Sequence, residues 1–159
     1  MKESEYVFNV APSEMDNHAD ARVFGRNFRV YFTTYKRCTG SHFITKYSEQ
    51  LDVPIVTGST AFDLENGPTV VIIFGQGLWI GDRTEKSLIN PNQRRHCGIP
   101  VWDDTTYNYR DIRLAIDDNL FTPMGMEGTT CGFNSRCPTL DEMLSCKRIT
   151  VSHETDWYP

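Results

Sequence analysis

Several features that would point to common function classes are missing from this sequence. The longest apolar run, Val70 to Phe74, is far too short to cross a bilayer as a helix. The opening Met1-Lys2-Glu3-Ser4-Glu5 is polar and has no apolar core of the secretory kind. No excess of Lys and Arg supports a phosphate grip, because the formal net charge is −5. The one small basic cluster, Arg94-Arg95-His96, reads as a solvated turn. Gly75-Gln76-Gly77 follows an apolar run but lacks the later glycine and the helix of a phosphate loop. Internal repeats and low-complexity stretches are absent.

Cysteine is present but unpatterned. The five residues Cys38, Cys97, Cys131, Cys137 and Cys146 do not form C-x-x-C pairs, so zinc spacing is excluded. An odd number of cysteines after a polar N-terminus fits a reducing compartment, and an intracellular, cytoplasmic location is expected. The thiols then read as small buried groups. His96 and Cys97 are neighbours in sequence and would not face each other on a helix, so they do not suggest a thiol nucleophile.

What is present describes a β protein. A chain of 159 residues suits one domain and can bury a core without disulfides or metal. A hydrophobic fraction of 39% and a charged fraction of 23% exclude general disorder. Strands are expected at Tyr6–Val10 (stopped by Pro12), Phe28–Thr33, Val53–Thr57, Thr69–Phe74 and Leu78–Ile80. Further short strands are expected at Ile99–Trp102, Ile112–Ile116, Asn119–Phe121 and Ile149–Val151. The unbroken apolar run at Thr69–Phe74 implies burial on both faces. Gly75-Gln76-Gly77 should break that strand, Asn66-Gly67-Pro68 should turn the chain, and Gly58 to Asp63 reads as a mobile or turning segment.

Two short helices are expected. Asn90 suits an N-cap, Pro91 the first helical position and Gly98 the residue past the end, giving Pro91–Cys97. Thr139 and Glu142 have capping-box spacing ahead of Leu140–Cys146. The pairs Asp103-Asp104 and Asp117-Asp118 read as turns. The expected fold is therefore all-β, closed or folded over, with two short helices.

Ionisable groups are densest at Asp16-Asn17-His18-Ala19-Asp20. Three readings of that segment stay open on residue chemistry. Asp16 could be one carboxylate of an aspartic-protease dyad, in which two carboxyls about 3 Å apart share a proton and a water. A domain with one such Asp obtains the second through a twofold dimer. Alternatively Asp16, His18 and Asp20 share a strand face and bind a divalent ion. The bland alternative is a solvated loop.

Three stretches resemble the protease segment of Gag-Pol polyproteins from copia-type (Ty1/copia) LTR retrotransposons, in a divergent protist and fungal group. The first is Glu14 to Ala21 with Val23-Phe24-Gly25-Arg26-Asn27. Its pattern is similar to the group's acidic–apolar–Asp–Ser–His–Ala–Asp–Thr signature and the Gly-Arg-Asn that follows. The second is Val56 to Asp63, in the place of a flap-like segment. The third runs from Gly77-Leu78-Trp79-Ile80 through Ser87-Leu88-Ile89-Asn90-Pro91-Asn92-Gln93 to Gly98-Ile99.

The resemblance implies a closed retropepsin-like β-barrel over residues 1–116, with 117–159 as an extension or linker carrying a short helix and packed on the same domain. It implies an aspartic endopeptidase that processes a retrotransposon polyprotein as a homodimer, with Asp16 catalytic and no cofactor. Asn17, His18 and Ala19 would lie beside the substrate, as would Gly58, Ser59, Thr60 and Ala61 in the flap. Leu88 and Ile89 would pack beneath the catalytic loop. Membrane and direct nucleic-acid partners are not expected. The chain departs from the family where Asn17 replaces a hydroxyl residue and His18 a small one. That departure gives the alternative of a catalytically inactive β module acting in protein association within a Gag-Pol-like assembly.

Overall fold

The computed structural model describes residues 10–16, 21–41, 50–65, 67–92, 101–102, 113–115, 121–127 and 130–151. The chain is strand-dominated, as expected. The strands are β1 (Val10–Met15), β2 (Arg22–Gly25), β3 (Arg29–Ser41), β4 (Gln50–Asp63), β5 (Thr69–Gly81), β6 (Ser87–Ile89), β7 (Val101–Trp102), β8 (Arg113–Ala115), β9 (Phe121–Pro123), β10 (Gly125–Glu127), β11 (Thr130–Arg136) and β12 (Lys147–Thr150). Helix α1 (Leu140–Ser145) precedes β12.

Nine strands form one sheet in the order β10-β11-β1-β6-β2-β5-β4-β3, with β12 added on β5. Strands β7, β8 and β9 form a small second sheet. One bridge, Arg136 to Ala61, joins β11 to β4, so the path of pairings β11–β1–β6–β2–β5–β4 returns to its start.

The axis of the sheet is β5. Val70 to Phe74 are all buried, which agrees with the burial on both faces read from the apolar run. One edge of β5 pairs with β4 from Thr69 to Leu78. The other edge pairs with β12 at Val70–Ile73 and then with β2 at Gly77–Gly81. The break expected at Gly75-Gln76-Gly77 is instead a β-bulge. Between the pairs Gly58↔Phe74 and Val56↔Gly77, β5 carries one more residue than β4, and Gln76 adopts φ 48°. A bulge absorbs an extra residue by local bending without ending the strand. It falls where β5 exchanges one neighbour for the other.

Glycine matters at two places because an aromatic ring lies against the backbone. The Phe24 ring is fully buried over Gly58 and Gly77, and a Cβ at Gly58 would lie 2.8 Å from ring atom Cδ2. A Cβ at Gly77 would overlap the same ring. Phe24 stacks on Phe28 with centroids 4.6 Å apart, and Phe28 meets Phe74 edge-on at 5.7 Å. This aromatic column is the centre of the core, with Ile72, Ile89 and Phe133 around it.

Two expectations need correction. Pro12 does not stop a strand but lies inside β1, where Pro12↔Asn134 pairs it with β11. Gly58–Asp63 is not a turn but the second half of β4. Beyond residue 116, β11 pairs with β1 and β12 with β5 in the main sheet. Of the two helices, α1 has the full capping box: Thr139 Oγ1 accepts from Glu142 N at 3.1 Å, and Glu142 Oε2 accepts from Thr139 N at 2.9 Å. At the other, Asn90 Oδ1 accepts from Asn92 N at 2.9 Å, and Pro91 and Asn92 are helical. Residues 93–97 of that expected helix lie outside the described residues, as do Tyr6–Asn9.

Candidate functional site

Strand β1 ends at Met15 and delivers Asp16, and the chain returns as β2 at Arg22. These two strands do not pair with each other. Strand β6 lies between them, parallel to β1 (Ser13↔Ser87, Glu14↔Leu88, Met15↔Ile89) and antiparallel to β2 (Val23↔Leu88). The end of β1 and the start of β2 are therefore separated in the sheet by β6. The Asp16 backbone N–H donates to the Ile89 carbonyl at 3.1 Å, which extends the β1–β6 ladder by one bond. Asp16 is partly exposed, whereas Ile89 is fully buried and Leu88 nearly so. Leu88 and Ile89 are thus the in-sheet neighbours of Glu14 and Met15, the two residues that precede Asp16.

Two further side chains brace this region. Lys86 Nζ pairs with Glu14 Oε2 at 2.8 Å across the β1–β6 junction. Arg22, the first residue of β2, is fully buried; its Nη1 donates to the Gly75 carbonyl and its guanidinium lies 5.6 Å from the Phe74 ring centroid. A buried cation at the end of the loop was not evident from sequence, where Arg22 is an unremarked residue beside Val23.

Beneath the site is a cluster of small polar side chains, all buried. Asn27 Nδ2 donates toward Ser13 Oγ (3.0 Å), Ser135 Oγ (3.1 Å) and the Ala11 carbonyl (3.2 Å). Its Oδ1 accepts from Ser87 Oγ at 2.6 Å, and Ser87 Oγ in turn accepts from Gly25 N at 2.8 Å. Thr60 Oγ1 lies 2.8 Å from the Asn27 carbonyl and 2.6 Å from Ser135 Oγ. In the sequence Asn27 stands out only as part of Gly-Arg-Asn and Ser87 only as part of the Ser87–Gln93 stretch, while Ser13 and Ser135 carry no signal. Isolated serines in strands give no signal until the topology brings them together.

The expected substrate-covering residues lie elsewhere. Gly58, Ser59, Thr60 and Ala61 are buried in β4, and β5 pairs with it along this stretch. On the opposite edge, β3 pairs at Gly58 and Ser59 and β11 at Ala61. Ser59 Oγ is 3.2 Å from the Arg29 carbonyl and 3.3 Å from Met143 Sδ. These four residues are thus held in the sheet at both edges of their strand. The hairpin of β3 and β4 does continue outward. Beyond Ile55, β4 pairs only with β3 among the described residues, from Arg37↔Pro54 to Ser41↔Gln50.

Asn17, His18, Ala19 and Asp20 lie outside the described residues, so the metal set Asp16, His18 and Asp20 is not assembled or dismissed here. Among the described residues no group of three His, Cys, Asp or Glu side chains is placed to hold a metal ion. Cys38, Cys137 and Cys146 are free thiols. Burial pushes the Cys137 thiol up from its ordinary range, which fits an inert group. No helix among the described residues is long and apolar enough to cross a membrane.

The strongest electrostatic feature is remote from Asp16. Arg136 donates to both carboxylate oxygens of Asp63 (Nε–Oδ2 2.8 Å, Nη2–Oδ1 2.9 Å) and to both of Glu142 (Nη1–Oε2 2.9 Å, Nη2–Oε1 2.7 Å). These bonds hold both carboxyls below the usual range and push the guanidinium further up. Arg136 of β11 thereby clamps Asp63 of β4 to Glu142 of α1.

Comparison with family models, curated proteins and solved structures finds no match for the chain.

Proposed function

We propose that this chain is an aspartic-endopeptidase-type module of the retropepsin kind, acting as a homodimer on a retrotransposon polyprotein. The observation that carries the reading is the strand arrangement at Asp16. A short buried strand runs between the two flanks of the Asp16 loop, and Asp16 is tied to it through its own amide. In the proposed dimer this partly exposed strand end is where Asp16 meets its symmetry mate. The ring of pairings that returns from β4 to β11 supports a closed barrel of this kind.

In the dimer, the two Asp16 carboxyls flank one water. Two carboxyls in contact cannot both ionise, so one takes the water's proton while the other donates to the substrate carbonyl. No cofactor enters this chemistry. The substrate is an extended peptide, and the outer β3–β4 ribbon replaces Gly58–Ala61 as the element that lies along it. Its backbone groups suit β-type pairing with such a chain. The setting is reducing and intracellular, consistent with thiols left free.

The second reading, an inactive association module, is favoured by Asn17 and His18, which stand where a hydroxyl and a small residue belong. The test is cleavage of a polyprotein fragment from pH 3 to 8, wild type beside Asp16→Asn, with sedimentation of both. Cleavage by a dimer that falls to background in Asp16→Asn is the expected result. Equal cleavage by both proteins would refute the dyad. A folded, dimeric wild type with no activity would select the association module.

A further inference from the structure

The frame under Asp16 depends on a strand that is only three residues long, Ser87–Ile89. So short a strand has few backbone bonds to fix its register. A slip of one residue would exchange the faces to which its side chains point. Side chains must supply the missing specification, and the buried polar cluster lies at the first residue of that strand.

We propose that Asn27 and Ser87 are positioning residues that lock the register of β6 and so set the placement of Asp16. Ser87 and Ser13 are register partners on β6 and β1. Asn27 spans that pair, accepting from Ser87 Oγ at 2.6 Å and donating to Ser13 Oγ at 3.0 Å. The same Ser87 hydroxyl accepts the Gly25 N–H of β2 at 2.8 Å. One hydroxyl and one carboxamide thus tie together the three strands that bear the loop, two residues before the Ile89 carbonyl that holds the Asp16 amide. Both side chains are fully buried, so these bonds compete with no solvent. Leu88 and Ile89 alone would give an apolar contact without direction, and apolar contact tolerates slippage. Hydrogen bonds of fixed length do not.

Asn27 also reaches Ser135 on β11 at 3.1 Å, away from the loop, and this arm supplies a control. Ser87→Ala removes the bonds to Asn27 and Gly25. Ser135→Ala perturbs the same carboxamide but leaves the β1–β6–β2 tie intact.

The step from position to catalysis rests on the proposed protease reading, so the primary readout is independent of activity. Amide hydrogen exchange is measured for Asp16 and for Ile72, a fully buried residue of β5, in the intact chain. In Ser87→Ala, Asp16 exchange should accelerate at least tenfold relative to Ile72, and in Ser135→Ala the ratio should stay within twofold of wild type. An unchanged ratio in Ser87→Ala, or the same change in both variants, would overturn the proposal. If Ser87→Ala does not fold, Ser87→Cys, which keeps a weak donor and acceptor, is read on the same ratio. On cleavage, Ser87→Ala should lower kcat about tenfold with KM within twofold, since substrate contacts are unaltered. A shifted exchange ratio in a protein that cleaves nothing would reject the protease reading and retain the lock.

Discussion

Glu142→Gln should destabilise the protein at neutral pH and should do so less in acid. Glu142 accepts two hydrogen bonds from Arg136 and one from the Thr139 amide, and its side chain is 16% exposed. Glutamine preserves the shape but turns an amide donor toward a guanidinium that offers only donors. Charge-assisted hydrogen bonds contribute about 1.5–3 kcal/mol, so a loss of about 2 kcal/mol is expected at pH 7. That corresponds to about 4–8 °C in Tm for a chain of this size. The matching change at Asp63, whose side chain is 57% exposed, should cost less, about 0.5–1 kcal/mol.

The pH dependence follows from the direction of the shift. Arg136 holds the folded Glu142 carboxyl below its ordinary value of 4.5, so the unfolded chain binds the proton first as pH falls. The contribution is complete above that value and is lost as pH drops through the folded one. The wild type then sheds the charge that the variant never had. Urea denaturation followed by tryptophan fluorescence, at pH 7 and in steps below 4.5, measures the difference between the two proteins. It should contract steadily with acidification. A difference that is equally large at every pH would show that charge plays no part. One below about 0.5 kcal/mol at pH 7 would show that the clamp is energetically idle, as many ion pairs are.

Other outcomes follow from packing and caps. Gly77→Ala places a methyl group against the Phe24 ring and should cost about 1–3 kcal/mol of stability, read from denaturant unfolding, and the same change should cost less in a Phe24→Leu background that makes room. A Gly77→Ala protein as stable as wild type would mean that the ring is not held against β5. Thr139→Ala removes the N-cap of α1 and should cost about 1 kcal/mol. Combined with Glu142→Gln it should be less than additive, because both changes open the same capping box; full additivity in a double-mutant cycle would contradict the shared cap.

The parts of this fold that were legible in the sequence are those set by local chemistry. The run Val70–Phe74 announced a strand buried on both faces because nothing polar interrupts it. Thr139 and Glu142 announced a capped helix because the box is a short-range motif. The errors share a different cause. Pro12 lacks an N–H and was read as a strand end, yet it occupies β1 in a paired position. Gly75-Gln76-Gly77 and Gly58 look like breaks, but in the folded chain two of these glycines make room for Phe24 and the extra residue forms a bulge. No local signal separates a glycine that turns a chain from one that accommodates a distant ring. Likewise Asp16 stood out as part of an acidic cluster, while the strand that supports it is some seventy positions away and entered only through resemblance.

The polar interior and the ion cluster answer one structural need. Strand β4 meets β11 through a single bridge, Arg136 to Ala61, so that seam has almost no backbone ladder. Its missing bonds come from side chains on both faces. Ser135 and Arg136 are successive residues of β11 and point to opposite sides, as strand geometry requires. Inward, Thr60 of β4 reaches Ser135 Oγ at 2.6 Å and the Arg136 carbonyl at 3.2 Å. Outward, Arg136 grips Asp63 of β4 in bidentate fashion, a geometry that fixes orientation as well as distance. The short strand β6 presents the same problem and has the same solution in Asn27 and Ser87. Polar groups in the interior are costly unless partners are supplied, and Asn27, Ser87, Thr60 and Ser135 supply one another at two junctions where backbone pairing is thin. Fully apolar side chains at those junctions would bury area equally well, but they would leave the register of β6 and the seam between β4 and β11 unspecified. The two junctions are served by separate arms of one network: Asn27 and Ser87 tie β6 to β1 and β2 beside Asp16, while Thr60, Ser135 and Arg136 hold the seam between β4 and β11.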